Sequence, residues 1–212
     1  MIETNATLIE LGSLKLKINL IANREQILTD SMNEDETPLW VELWPSALAL
    51  ARLLWDGESL TGISILELGA GLGLPGTVAG LKGASVLQTD YMPEALDVAK
   101  ETAKMNNVEN LRTAVADWRN FDITENFDLI IGSDIMYHPE LNPYLKKIFL
   151  QNLNPGGKII MGDAGRRDSL AFVESLVLEG WGVTEKRVPV KQDRFDYNIY
   201  VFDITPPESA PL

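Results

Sequence analysis

The chain of 212 residues contains no cysteine and a single histidine, His138. The missing thiols exclude disulfides, a catalytic cysteine and thiolate metal sites, and one imidazole cannot form a metal site of several histidines. Basic residues are also scarce, since 18 lysines and arginines stand against 31 aspartates and glutamates and give a formal net charge of -13. A broad basic face for DNA or RNA is therefore not expected, and the acidity favours cationic ligands or partners.

Long apolar runs are absent as well. No stretch reaches the roughly 18 uninterrupted apolar residues of a membrane-spanning helix, and residues 1–10 lack the basic region and apolar core of a secretory signal. We therefore expect no membrane association and a cytoplasmic location. The 45% of hydrophobic and 23% of charged residues are ordinary for a globular protein, and neither a repeat nor a domain boundary is visible.

From residue 63 onward, short apolar strands alternate with turns and helices. Parallel strands are predicted at residues 63–68, 84–89, 111–116, 127–132 and 157–162, and helices at residues 74–81, 93–106, 142–151 and 168–178. Two late strands, at residues 181–190 and 198–204, leave no room for a helix between them. They are therefore predicted to pair as an antiparallel hairpin.

The first part of the chain is less regular. Alternating apolar residues on both sides of Gly12 predict a hairpin, residues 30–37 predict a polar loop, and Pro45 opens a well-buried helix. The predicted fold class is α/β: a Rossmann-like, doubly wound, mostly parallel seven-stranded sheet with an antiparallel C-terminal hairpin, plus an N-terminal hairpin and helix.

A glycine-rich turn follows the first parallel strand and opens a helix, in the run Glu67-Leu68-Gly69-Ala70-Gly71-Leu72-Gly73. Glycines let the backbone turn tightly and approach a ligand without a side-chain clash. Asp90 ends the second strand, where an acidic side chain can accept hydrogen bonds from both hydroxyls of a ribose. The turn and the acid together predict a nucleoside site, although Leu74 replaces the third glycine of the dinucleotide pattern.

Four stretches agree in their order along the chain with one known family: Leu43–Ala47, Leu66–Gly76, Asp117–Trp118 and Ser133–Tyr137. Over roughly residues 40–204, the sequence resembles the seven-β-strand S-adenosylmethionine-dependent methyltransferases, and in particular the branch with the lysine-specific protein methyltransferases. The resemblance implies one methyltransferase domain over residues 1–212. Its parts are an N-terminal extension at 1–40, a cofactor-binding core at 41–204 and a tail at 205–212.

The resemblance implies S-adenosyl-L-methionine as the cofactor and no metal. Asp90 would hold its ribose, Trp118 would pack on its adenine, and Asp117 would accept a hydrogen bond from the exocyclic amine. The other implied cofactor-binding residues are Trp44, Glu67, Gly69, Ala70, Gly71, Gly73 and Ser133.

Asp134 and Tyr137 follow the fourth strand and are the candidate catalytic residues. A lysine amine is almost fully protonated at neutral pH and must lose a proton before it attacks a methyl group. We predict that Asp134 orients that amine or accepts its proton through water, and that Tyr137 walls the channel and favours a cationic head. A strand-end aspartate can also simply cap a turn.

The predicted acceptor is a protein lysine side chain, and two alternatives stay open. One is a small amine or heterocycle, as in the nicotinamide N-methyltransferase-like proteins, and the other is a non-catalytic module that retains the cofactor fold. Residues 1–40 are a candidate cover, which would favour a small molecule, whereas an open groove at Tyr137 would favour a protein. No proline pair follows Asp134, so a nucleic acid acceptor is not expected. A monomer is favoured, although nothing fixes the oligomeric state. Arg166, Arg167 and Arg194 are expected to be solvated loop charges.

Overall fold

The computed structural model describes residues 2–30 and 38–207. The strands in these ranges are β1 Thr4–Leu11, β2 Leu14–Ile21, β3 Ser64–Leu68, β4 Ser85–Asp90, β5 Leu111–Val115, β6 Phe127–Ser133, β7 Leu153–Asp163, β8 Gly182–Gln192 and β9 Phe195–Thr205. The α-helices are α1 Arg24–Asp30, α2 Pro45–Asp56, α3 Leu74–Leu81, α4 Pro93–Met105, α5 Asn142–Asn152 and α6 Arg167–Leu178. Two short 3-10 helices lie at Leu39–Val41 and Trp118–Asn120.

The N-terminal hairpin is confirmed. β1 and β2 pair antiparallel around a turn at Gly12, whose φ of +62° lies in the region that glycine adopts at least cost. Leu16 and Ile18 of β2 are buried. The backbone of Lys17 exchanges hydrogen bonds of 2.9 and 2.6 Å with the side chain of Asn106, the C-cap residue that follows α4. The hairpin is thus fixed to the end of α4 that lies far from Asp90.

Seven strands form one sheet in the order β5-β4-β3-β6-β7-β9-β8. The first five run parallel, and β9 runs antiparallel to both of its neighbours. The connection from β8 to β9 consists of only Asp193 and Arg194. It is too short for the crossover that a parallel pair requires. The predicted fold class is confirmed. The strand order reverses at β3, between β4 and β6, and open α/β sheets bind ligands beside such a reversal.

Helices cover both faces of the sheet. Ile65 of β3 belongs to the apolar cluster that includes residues of α2, α3 and the N-terminal hairpin. Its neighbour Leu66 belongs to the opposite cluster, which includes residues of α5 and α6. Strands that are covered on both sides are apolar at successive positions, and this explains why β3 and β6 read as continuous apolar runs.

Several parts of the chain differ from the prediction or lie outside the described residues. β7 begins at Leu153, before the strand predicted at residues 157–162. Helix α1 was not predicted, because none of its seven residues is buried and it carries no apolar stripe. The late hairpin is longer than predicted, since its exposed, polar end is held by strand pairing rather than by apolar alternation. Asp30, the first residue of the loop predicted at residues 30–37, ends α1 instead. Residues 31–37 of that loop and the last five residues of the predicted tail lie outside the described residues. Within residues 2–30 and 38–207, no helix is long and apolar enough to cross a membrane.

Candidate active site

A cavity of about 610 Å³ lies at the carboxyl ends of β3, β4 and β6. Its volume falls within the range of about 300–1,000 Å³ that is common for small-molecule sites. Its walls come from the glycine turn, from the segments that follow β4, β5 and β6, and from residues 39–47. A larger and more open groove of about 930 Å³ lies beside α5, and none of the predicted site residues lines it. The cavity at the strand ends is therefore the candidate site.

The glycine turn forms the floor of this cavity, and its glycines are in the left-handed region. A Cβ atom on Gly69 (φ +63°) would lie 2.8 Å from Cγ2 of Ile135 and 3.5 Å from the ring of Trp118. A Cβ atom on Gly71 (φ +51°) would lie 3.6 Å from the carbonyl oxygen of Trp40. The missing side chains thus let the segment after β6, the indole of Trp118 and the 3-10 helix at Leu39–Val41 approach the turn closely.

Gly73 lines the cavity with its backbone, and its lack of a side chain allows two helices to pack closely. At a φ of +76°, a Cβ atom there would lie 2.6 Å from the Cβ of Ala99 on α4. The motif glycine at this position therefore allows α4 to pack against the start of α3.

Asp90, the last residue of β4, lines the cavity and is only 5% exposed. Its Oδ2 accepts the backbone N–H of Gly71 and its Oδ1 that of Met92, both at 3.0 Å. Burial raises the pKa of Asp90, and these N–H donors partly oppose the rise. A carboxylate offers about four lone-pair positions, so both oxygens retain capacity for ribose hydroxyls.

The structure does not bring Glu67 to the cavity. Its side chain is buried beneath α3, where Oε2 accepts hydrogen bonds from the N–H of Gly76 at 3.1 Å and from Nε2 of Gln88 at 2.7 Å. Burial raises the pKa of Glu67 to about 8. Glu67 therefore links the start of α3 to β4, and it supports the glycine turn from below rather than facing a ligand.

Asp117 is the N-cap of the second 3-10 helix, which follows β5, and Trp118 is its first residue. Both residues line the cavity. Asp117 accepts the N–H of Arg119 at 2.9 Å and also pairs with its guanidinium, with Nη2 to Oδ2 at 2.8 Å. This hydrogen-bonded pair lowers the pKa of Asp117. Asp117 thus holds Arg119, a cavity residue that the sequence did not single out, and an adenine amine would have to share its oxygens with that arginine.

Trp44, Ala70 and Ser133 also line the cavity, as the resemblance implied. Trp44 precedes α2, and its Nε1 donates a hydrogen bond of 2.9 Å to the carbonyl oxygen of Leu39. The N–H of Ala70 donates to the carbonyl oxygen of Thr89 at 2.9 Å, which ties the glycine turn to the end of β4.

The candidate catalytic residues Asp134 and Tyr137 line the same cavity. Asp134 has a φ of +53° and is 6% exposed, and its N–H donates to the carbonyl oxygen of Gly162 at 2.8 Å. Burial raises the pKa of the Tyr137 phenol. The sharp backbone bend at Asp134 directs the chain away from the strand and toward the wall of the cavity.

Arg166 corrects the expectation of a solvated loop charge. Its Nη1 hydrogen-bonds to Oδ1 of Asp134, and its guanidinium carbon lies 5.5 Å from the ring centre of Trp44 and 5.7 Å from that of Tyr137. Arg166 follows the end of β7, at the same sheet edge as Asp90 and Asp134, and that position was the signal in the sequence. The cavity is also lined by residues that the sequence did not assign to the site, among them Leu39, Trp40, Glu42, Tyr91, His138, Glu140 and Tyr144.

Solved structures of low sequence identity share the fold. The precorrin-6y C5,15-methyltransferase of Geobacter metallireducens superimposes with a TM-score of 0.60 at 15% identity, over 77% of this chain and 87% of that one. A putative RNA methyltransferase from Pyrococcus horikoshii gives a TM-score of 0.59 at 15% identity, over 86% of this chain and 98% of that one. At such identities the likeness shows the fold and nothing more.

Curated relatives are more similar in sequence. Histone-arginine methyltransferase METTL23 of Homo sapiens is 36% identical over 122 residues, which cover 53% of this chain and 64% of that protein. Protein N-lysine methyltransferase METTL21A of Xenopus tropicalis is 37% identical over 118 residues, covering 51% and 53%. The electron transfer flavoprotein beta subunit lysine methyltransferase of Mus musculus is 32% identical over 133 residues, covering 61% and 51%. The matched regions span between half and two thirds of these relatives.

The sequence profile of a family described as lysine methyltransferase matches residues 24–177, which is most of the chain. This match includes all of the residues that the resemblance assigned to the site, and it confirms the family inferred from the motifs. The chain belongs to the lysine methyltransferase family, a branch of the seven-β-strand, class I S-adenosylmethionine-dependent methyltransferases.

Proposed function

We propose that this protein transfers a methyl group from S-adenosylmethionine to a lysine side chain of another protein. The observation that carries the proposal is one continuous cavity. It is lined both by the glycine turn with Asp90 and Trp118 and by Asp134 with Tyr137. A cofactor site and an acceptor site must adjoin for a direct transfer, because the attacking nitrogen, the methyl group and the sulfur have to be in line.

The residues present fit the cofactor. The glycine turn offers bare backbone, the Asp90 carboxylate has free acceptor capacity for a ribose, and the ring of Trp118 offers an apolar face for an adenine. When bound, S-adenosylmethionine supplies an electrophilic methyl group on a positively charged sulfur. Trp44 lines the same cavity and adds a second indole ring to it.

The other side of the cavity suits a cationic acceptor. Asp134 supplies a buried carboxylate, and Trp44 and Tyr137 supply rings that favour a cation. The N-terminal hairpin is held at Asn106, far from this edge, and within residues 2–30 and 38–40 only Leu39 and Trp40 line the cavity. This limited cover supports a protein acceptor over a small molecule. The single domain, the monomeric state and the cytoplasmic location remain predictions.

The cofactor is tested with Asp90→Asn and S-adenosylhomocysteine in a calorimeter. We expect affinity to fall about tenfold or more, because hydrogen bonds to a charged group contribute about 1.5–3 kcal/mol. Asp97→Asn is the control, since Asp97 is an exposed aspartate on α4. Equal affinity of the Asp90→Asn variant and the wild type would contradict the ribose assignment.

The acceptor is tested by incubating the protein with methyl-labelled cofactor and a cell extract. We expect label in the protein fraction as methyl-lysine, identified by mass spectrometry after digestion, and we expect Asp134→Asn to reduce it strongly while leaving a measurable rate. Label in small metabolites would favour the alternative acceptor class. Label in methyl-arginine would show that the acceptor is a protein arginine rather than a lysine. This outcome is included because one of the similar proteins is named a histone-arginine methyltransferase.

A further inference from the structure

Two hydrogen bonds and one close packing contact restrain the turn after β7. Oδ1 of Asp163 accepts the N–H groups of Gly165 at 2.6 Å and Arg166 at 3.0 Å. Gly165 has a φ of +87°, and a Cβ atom there would lie 2.8 Å from Cδ2 of Tyr200. These contacts fix the backbone of Arg166 close to Asp134, which lines the cavity, so the side chain of Arg166 starts from a defined point.

The two oxygens of the Asp134 carboxylate have different surroundings. Oδ1 accepts hydrogen bonds from Nη1 of Arg166 and from the N–H of Ala164, the latter at 3.3 Å. Oδ2 is buried and accepts no hydrogen bond from any residue in the ranges 2–30 and 38–207. Buried polar atoms in folded proteins nearly always have a partner, so an orphaned carboxylate oxygen in the wall of a ligand cavity indicates a donor on the ligand.

Arg166 itself is held on several sides. Besides Asp134, its guanidinium has the rings of Trp44 and Tyr137 within 6 Å, and its Nη1 lies 3.9 Å from Oδ2 of Asp163. Its side chain is 35% exposed, whereas that of Asp134 is 4% exposed. The guanidinium is therefore more exposed than the carboxylate that it contacts, and rotation of that carboxylate would break the contact with Arg166.

We infer that Arg166 is a positioning residue: it holds one oxygen of Asp134 so that the other receives the N–H of the acceptor nitrogen. The inference rests on the proposed function, and it assigns a separate role to each oxygen of the Asp134 carboxylate. Arg166 and Ala164 orient the carboxylate, and the unpartnered oxygen aligns the acceptor. Arg166 touches neither the acceptor nor the cofactor in this arrangement.

The test compares Arg166→Gln, Arg166→Lys and the control Arg167→Gln, which changes the exposed arginine next to it. Labelled methyl transfer into the protein fraction of an extract is measured at a series of extract concentrations, which separates an apparent kcat from an apparent KM. We expect Arg166→Gln to lower kcat by about tenfold to a hundredfold, as misplacement of a reacting group does, without lowering KM. Arg166→Lys keeps the charge and should restore most of the rate.

A double-mutant cycle shows whether Arg166 acts through Asp134. In an Asp134→Asn background, Arg166→Gln should cause no further loss, because the group that it orients is already gone. S-adenosylhomocysteine binding should match the wild type in all Arg166 variants, which shows that they are folded. Arg166→Gln should melt at a lower temperature than Arg166→Lys, because it leaves the buried Asp134 carboxylate without a cation. Independent, multiplicative losses would overturn the inference, as would a lower KM with an unchanged kcat, which would make Arg166 a competitor of the acceptor. A wild type that labels no protein would instead refute the proposed function.

Discussion

Replacement of Glu67 by glutamine tests whether Glu67 binds the cofactor or instead supports the glycine turn from below. The sequence resemblance assigned Glu67 to the cofactor, whereas the structure buries it beneath α3 with Gly76 and Gln88 as its partners. Glutamine has the same shape, and its carbonyl oxygen can accept both of these hydrogen bonds. The substitution therefore removes a titratable group and leaves the packing almost unchanged.

The magnitude follows from the pKa of Glu67, which burial raises from 4.5 to about 8. The folded chain keeps a proton that the unfolded chain releases above pH 4.5, so folding becomes less favourable as the pH rises. The stability associated with this proton is fully present below pH 4.5 and fully lost above about pH 8. Each pH unit between these limits costs about 1.4 kcal/mol, and the whole interval costs about 5 kcal/mol.

The assay is urea unfolding of the wild type and Glu67→Gln at about pH 6 and about pH 9. We expect the unfolding free energy of the variant, relative to the wild type, to rise by about 3 kcal/mol between the two conditions. Other titrating groups are common to both proteins and cancel in the difference. A gap that stays constant with pH would mean that Glu67 is ionised in the folded chain. A large loss of S-adenosylhomocysteine affinity in Glu67→Gln would show that Glu67 does contribute to cofactor binding.

Two further predictions concern the turn and its aromatic neighbour. Gly73→Ala should destabilise the fold more than Gly156→Ala, because both glycines have a left-handed φ but only Gly73 faces an atom, the Cβ of Ala99, within contact distance. We expect an excess of about 1–3 kcal/mol in chemical denaturation, the usual cost of overpacking, and equal losses would contradict the packing role. Trp118→Leu should weaken S-adenosylhomocysteine binding by about tenfold through the loss of aromatic stacking, while Trp118→Phe should retain most of it. Calorimetry checks both Trp118 variants, and full affinity in the leucine variant would remove Trp118 from the adenine site.

Much of the fold was predictable because each local signal agreed with the next. One strand-turn-helix unit is specified by three consecutive signals: the apolar run of β3, the glycine turn that follows it, and Pro75 at the start of α3. Helix α1 and the end of the late hairpin escaped prediction for the opposite reason. Their residues are mostly exposed, so no apolar periodicity marks them, and strand pairing determines the hairpin.

The candidate site was predictable where a motif is continuous in the sequence. The glycine turn follows β3, Asp90 ends β4 and Trp118 comes shortly after β5. These strands end at the same edge of the sheet, so the rule for parallel sheets brings the three together. The partners of these residues were not predictable in the same way. Arg166 lies 32 positions from Asp134, and Gln88 lies 21 positions from Glu67, and neither pairing has a spacing rule.

The sequence by itself determined the sheet, the helices on its two faces and the edge where the polar residues gather, because these depend on periodicity, on turn residues and on the order of strands. Only the tertiary structure decided which way each acidic side chain faces. It turns Glu67 inward to the N–H of Gly76 and pairs one oxygen of Asp134 with Arg166. The other oxygen of Asp134 has no donor among the residues that the structure describes. The physical reason is that side-chain direction and ionic pairing arise from contacts between distant segments, which a local pattern does not encode.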